Sequence, residues 1–216
     1  MTNGTDQTGR PSDPSGRSAT TVVGVTAAFR QQVDEHIVDR AAALFARHGF
    51  AQTSVQSVSD AVGLSKAGLL HHFPSKQALW DAVLVQAGAL GQAACDAVAA
   101  LPVGRERDLR AVEVLVDIAL SHPGLVALLL APATRGGDAD DSDLERVSDA
   151  ALRAFGVDPL TAEPERLVRV LGALAALAVL SLAAHQGGHG AAWRAHVVAT
   201  SSDALGHARP RTDQEA

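Results

Sequence analysis

The sequence of 216 residues contains no tyrosine, two tryptophans and five phenylalanines, so aromatic side chains make up only 3% of it. A core must therefore be built from Ala, Leu and Val, small side chains that suit helices in close approach. A single cysteine, Cys95, excludes an intramolecular disulfide and a cysteine-rich zinc module, and fits a reducing compartment. Lysine is nearly absent: of eighteen basic residues only Lys66 and Lys76 are lysines. Positive charge is in deficit overall, at a net −6, which excludes indiscriminate adhesion to nucleic acid by total charge. Long hydrophobic runs are missing too. The longest, Val170–Ala184, has fifteen residues where a membrane span needs about 20, and it is read as a buried helix. The first residues lack the basic start of a signal peptide, so the expectation is a cytoplasmic protein with no membrane partner. What is present is 47% hydrophobic residues, enough for a sizeable core and incompatible with disorder of the whole chain.

Along the chain the apolar residues recur at helical spacing, and no β-alternation of useful length occurs. Residues 1–28 are rich in Thr, Ser, Gly and Pro and read as a disordered arm. From Arg30 onward, Val33, Ile37, Ala41, Leu44 and Phe45 share one face, and Gly49 supplies a stop. Thr53-Ser54-Val55-Gln56 has the form of a capping box, with Thr53 as the cap and Gln56 reaching back. Val55, Val58 and Val62 then form the face of a short helix that Gly63 ends. Ser65 caps a second short helix closed by Pro74, and Ser75 caps a longer one carrying Leu79, Val83, Leu84 and Leu90. Further helices follow Leu109, the His122-Pro123 break, Ser142-Asp143-Leu144-Glu145, Pro164 and Gly187-Gly188-His189-Gly190. The fold class expected is all-α, with about nine helices.

Two short helices joined by a glycine turn form a helix-turn-helix, whose second helix enters the DNA major groove. That helix is Ser65-Lys66-Ala67-Gly68-Leu69-Leu70-His71-His72-Phe73. Leu69 and Phe73 lie four apart and should be buried, leaving Lys66, Ala67, Gly68, Leu70, His71 and His72 outward or sideways. Lys66 is placed to reach guanine acceptors or a phosphate. Lys76 at the next helix start combines a cation with free backbone N–H groups, an anion site for a phosphate. Thr53 and Ser54 offer a second phosphate contact. Residues 30–81 carry five basic and five acidic residues, whereas residues 82–216 carry eleven and seventeen. The acidic excess thus lies outside the proposed DNA-binding segment.

From about Ile37 to Val85 the sequence resembles the TetR (tetracycline-repressor-like) family of bacterial transcriptional regulators. The resemblance rests on Ala43-Leu44-Phe45-Ala46-Arg47-His48-Gly49-Phe50, Thr53-Ser54-Val55, Ala61-Val62-Gly63-Leu64-Ser65-Lys66 and His71-His72-Phe73-Pro74-Ser75-Lys76-Gln77-Ala78-Leu79. It implies an N-terminal DNA-binding domain and a larger helical domain that binds a small molecule and dimerises through its last two helices. The chain departs from the family pattern in two places: the family usually has Thr where Gly68 stands and Tyr where Leu70 stands, and both commonly touch DNA. An unusual operator or weaker binding is expected on that account.

The resulting expectation is a homodimeric repressor on a palindromic operator, released by a small-molecule effector, with neither cofactor, metal nor enzymatic activity. Its segments are an arm (1–28), a DNA-binding domain (29–75), a ligand and dimerisation domain (76–207) and a tail (208–216). Asp117 and His122 are candidates for the effector pocket. Gly172, Ala176, Leu180, Trp193 and Val197 are candidates for the dimer face. The alternative is a ligand-binding or dimerisation module with a vestigial helix-turn-helix. Adjacent His71 and His72 point about 100° apart on a helix, which suits a shared metal poorly, and His185 and His189 read as part of a turn. Asp138, Asp140, Asp141 and Asp143 lack the glycine and terminal glutamate of a calcium loop. Cys95 in its Ala-rich helix reads as a small hydrophobe.

Overall fold

The structure, a computed structural model, describes Met1 and residues 18–135 and 142–207, with side chains at residues 1, 30–131, 144 and 146–207. Among them are nine helices and no strand: α1 (Ser18–Gln52), α2 (Val55–Val62), α3 (Lys66–His72), α4 (Lys76–Val98), α5 (Arg105–Ser121), α6 (Pro123–Arg135), α7 (Ser142–Ala154), α8 (Pro164–Gln186) and α9 (Gly190–Ala204). The Asp-rich stretch through Asp141, the tail from residue 208 and most of the arm lie outside the described residues. Helix α1 begins at Ser18 rather than near Arg30. The β-branched Thr and Val of residues 20–26 show no amphipathic stripe. A formed helix nevertheless propagates one hydrogen bond per added residue without needing one.

Residues 1–34 and residues 35–216 are two compact units. Within the second there is no break at residue 75, so the division between DNA-binding and ligand segments is one of proposed role. Gly49 interrupts α1 with φ 80° and ψ 158°, a positive-φ turn that glycine adopts without a Cβ penalty. It separates the long part of α1 from the final turn holding Phe50 and Ala51.

The main core is aliphatic, as the scarcity of aromatics requires. Val98, Ala111, Val112, Val116, Val170, Ala173 and Val197 are buried in one cluster with Phe155. Helix α5 is its axis, packed by α4, α8 and α9. Helix α8 is long and apolar enough for a membrane span. Its Val170, Ala173, Leu177, Ser181 and Ala184 are nevertheless buried inside the chain, which makes it a core helix with one uncovered side.

One polar cluster is buried in this core. Asp108 on α5, 1% exposed, accepts from both Arg166 amino groups at 2.8 and 2.7 Å and lies 2.7 Å from His207 Nε2. A buried carboxylate is tolerable only when so paired. The cluster thereby ties the chain after α9 to α5 and the start of α8.

Candidate nucleic-acid interface

The helix-turn-helix is assembled by side chains acting within a few residues of themselves. Ser54 is the N-cap of α2: its hydroxyl accepts from the Ser57 N–H at 3.0 Å, and Ser57 Oγ accepts from the Ser54 N–H at 3.1 Å. The box is therefore Ser54 with Ser57, one residue later than the expected Thr53 with Gln56. Thr53 is 2% exposed and donates its hydroxyl to Gly49 O at 2.8 Å. A hydroxyl turned inward to a helix carbonyl does not meet a phosphate, which corrects its place among the DNA contacts. Gln56 instead donates to Asp60 Oδ1 at 2.7 Å.

Gly63, at φ 71°, ends α2 in the left-handed conformation. The Leu64 N–H reaches back to Ser59 O at 3.0 Å, the bond that closes a Schellman turn. Ser65 then caps α3 by accepting from the Gly68 N–H at 3.0 Å. Leu69 is buried at 1% exposure and Phe73 is half-buried. That anchor turns Lys66, Ala67 and His71 to the exposed side, with Gly68, Leu70 and His72 half-buried beside them. The two imidazoles meet edge to face, ring centroids 5.9 Å apart. A β-carbon added at Gly68 would stand 3.2 Å from Ser65 Oγ, so the glycine also makes room for the cap.

Lys76 differs from expectation. Its Nζ donates to Phe50 O at 2.8 Å and Ala51 O at 3.3 Å, and lies 4.4 Å from the centre of the Phe50 ring. The cation is committed to the last carbonyls of α1, the negative end of that helix. In these contacts it braces the domain. Around it Phe45, Phe50 and Trp80 form an aromatic triangle with centroid distances of 5.3–5.6 Å. Three of the chain's seven aromatics thus lock α1 to α4, a cluster the sequence reading missed because Phe50 and Trp80 fall outside its apolar stripes.

A second unforeseen contact joins α1 to α6. Asp39 Oδ1 accepts from the Leu125 N–H at 3.0 Å, capping the N-terminus of α6 where a carboxylate is favoured. The backbones touch here: a β-carbon at Gly124 would stand 1.9 Å from Asp39 O. His122, offered as an effector ligand, lies beside this junction with Nδ1 3.3 Å from Gln86 Nε2. Asp117 is on the surface, in a two-point ion pair with Arg194 of α9 at 2.5 and 2.7 Å. Those hydrogen bonds hold its carboxyl below the usual carboxylate value, against a smaller opposing effect of burial. Asp117 and His122 thus each tie one helix to another: Asp117 joins α5 to α9 and His122 meets Gln86 of α4. The polar positions belong to inter-helix ties.

The expected dimer face divides. Gly172 is exposed and Trp193 is 38% exposed, stacked on His189. Leu180 and Ala176 are half-buried. Val197, at 1% exposure, belongs to the internal core, because α9 turns that position toward α5 and α8. The large apolar residues exposed on α8 are instead Val168, Leu171 and Val179.

Residues 37–83 match the model of bacterial regulatory proteins, tetR family. The HTH-type transcriptional repressor KstR2 of Rhodococcus jostii (strain RHA1) is 42% identical over 48 residues, 22% of this chain and 24% of that protein. The HTH-type transcriptional regulator RutR of Escherichia coli (strain K12) is 42% identical over 50 residues, 23% of this chain and 24% of that protein. The match therefore spans about a quarter of the length of these relatives. A solved structure of the TetR family transcriptional regulator PfmR from Thermus thermophilus shares the all-α fold, with a TM-score of 0.50 and 23% identity over 81% of this chain and 96% of that one. The helix-turn-helix segment is thus similar to that of bacterial regulatory proteins of the tetR family.

Proposed function

We propose that the protein is a DNA-binding transcriptional repressor that acts in the cytoplasm as a homodimer on a palindromic operator and is released by a small-molecule effector. The observation that carries this reading is α3 itself. Leu69 fixes it to the core, Ser65 caps it, and Lys66, Ala67 and His71 are left on its open side. Ser54, exposed at the start of α2, supplies a flanking hydroxyl for a backbone phosphate. The small side chains at 67 and 68 permit close approach to base edges, and Leu70 offers an apolar contact for a thymine methyl.

Dimerisation is assigned to the uncovered side of α8, where Val168, Leu171, Gly172 and Val179 recur at helical spacing, together with Trp193 of α9. An isologous pairing would present two α3 helices to a two-fold related site. Release follows as a population shift: the effector favours a dimer whose α3 spacing mismatches the half-sites. Asp39 and Gly124 couple α6 rigidly to α1, so a displaced α6 would carry α1 with it.

The test is fluorescence anisotropy of a labelled duplex from the DNA upstream of the protein's own gene, against a scrambled duplex, across a salt series. Preferential binding that weakens steeply with salt is expected. Equal affinity for both duplexes would contradict the reading.

A further inference from the structure

Helix α3 turns by about 100° per residue, which fixes the order of side chains around it. Leu69, buried, and Phe73, half-buried, are held against the core. Going round from them, Lys66 comes first, then Leu70 about 40° further on, Ala67 about 60° beyond that, and His71 last. Lys66, Ala67 and His71 are exposed. Leu70, although half-buried, therefore stands within the open arc, between Lys66 and Ala67. It is the longest apolar side chain there. Ala67 ends at its β-carbon, and Gly68 beside it has no side chain, since a β-carbon at that position would stand 3.2 Å from the capping Ser65 Oγ.

An apolar side chain facing the major groove has one chemical match among the bases. Guanine, adenine and cytosine present donors and acceptors there, and only thymine adds a C5-methyl group. Over another base Leu70 would strip water from polar groups that it cannot satisfy. Lys66 lies one turn back on the same side, about 6 Å along the axis, on the order of two base-pair steps of about 3.4 Å.

We infer that Leu70 is a specificity-determining residue: it reads a thymine methyl group in each operator half-site, within about two base pairs of the position that Lys66 reaches. Ala67 completes the apolar seat for that methyl. The inference names the DNA that the protein selects, and so rests on the DNA-binding reading above.

The upstream duplex synthesised with deoxyuridine in place of thymidine keeps every base pair and phosphate and loses only the C5-methyl groups. Synthetic DNA carries no 5-methylcytosine, so thymine is its one source of such methyls. In anisotropy titrations of the full chain, the wild type is expected to bind the uracil form about fivefold or more weakly than the thymine form, the scale of one buried methyl group in each half-site. The salt slope should be the same for both, because no phosphate contact changes. A scrambled duplex made both ways gauges the effect of the missing methyls on DNA itself, and its two forms should bind equally. Leu70→Ala should bind both forms of the upstream duplex equally, whereas Leu70→Met, apolar and of like volume, should keep the preference for thymine. Equal binding of the two upstream forms by the wild type would overturn the inference. So would a preference that survives undiminished in Leu70→Ala or disappears in Leu70→Met. The DNA-binding reading is judged separately, by the thymine form of the upstream duplex against its scrambled counterpart. Preference for the upstream sequence with thymine and uracil bound alike would sink the inference and leave that reading standing.

Discussion

At the scale of single residues, local chemistry was legible in the sequence and distant chemistry was not. Gly63, Ser65 and Ser75 act on backbone groups within a few positions of themselves, and each caps the helix its residue type announces. Thr53 and Ser54 are adjacent hydroxyls, and only the packing of α1 decides which one turns inward. Lys76 finds its acceptor 26 residues away, beyond the reach of any spacing rule. Removing that contact by Lys76→Ala should lower stability by about 1–2 kcal/mol, from the lost charge-assisted bonds and ring contact. Thermal melting would show it, while the salt slope of DNA binding stays as in the wild type. A reduced slope would restore the lysine to the phosphate contacts. Ser181 presents the opposite case. Its hydroxyl is buried without a hydrogen-bond partner, so Ser181→Ala should raise stability by roughly 1 kcal/mol. A lower melting temperature would contradict that.

At the scale of elements, helix positions followed from amphipathic stripes, but which side of a helix meets which neighbour did not. Helix α8 is apolar nearly all round, and no polar stripe sets its phase. On α9 the sequence offered Val197 and Trp193 together, although the first is internal and the second exposed. The Asp39 cap on α6 joins residues 86 apart, so nothing local signals it. The tie between α5 and α9 through Asp117 and Arg194 has a definite pH dependence. The Asp117 carboxyl is held below its ordinary value of about 3.9, so its contribution is fully present above that value and lost as pH falls through the folded-state pKa. Asp117→Asn should therefore melt slightly below wild type at pH 7, a small effect because both partners are near half-exposed. Calorimetric melts should draw together as the pH falls and converge once it is below the folded-state pKa. A difference that persists there would mean the pair is not what the substitution removed.

At the scale of the whole molecule, the acidic net charge and the DNA-binding reading are reconciled by position. The interface segment is balanced, and the excess of acid lies beyond residue 81. In the proposed reading a palindromic operator engages two copies of α3, so the dimer is as necessary as the helix. Val179 stands 57% exposed on α8, and Val179→Asp should yield a folded monomer of 22.2 kDa by light scattering. A dimer that persists unchanged would move the interface elsewhere.

The central claim is that α3 reads DNA, with Lys66 as its lysine at the interface. Anisotropy titrations of the wild type and Lys66→Ala on the upstream duplex, across a salt series, test it directly. The account predicts that Lys66→Ala weakens specific binding by about tenfold or more, a loss on the scale of about 1–3 kcal/mol for one base contact, or reduces the salt slope by about one if the lysine holds a phosphate. Its melting temperature should be unaltered, since Lys66 is exposed. Affinity and slope both equal to wild type would contradict it.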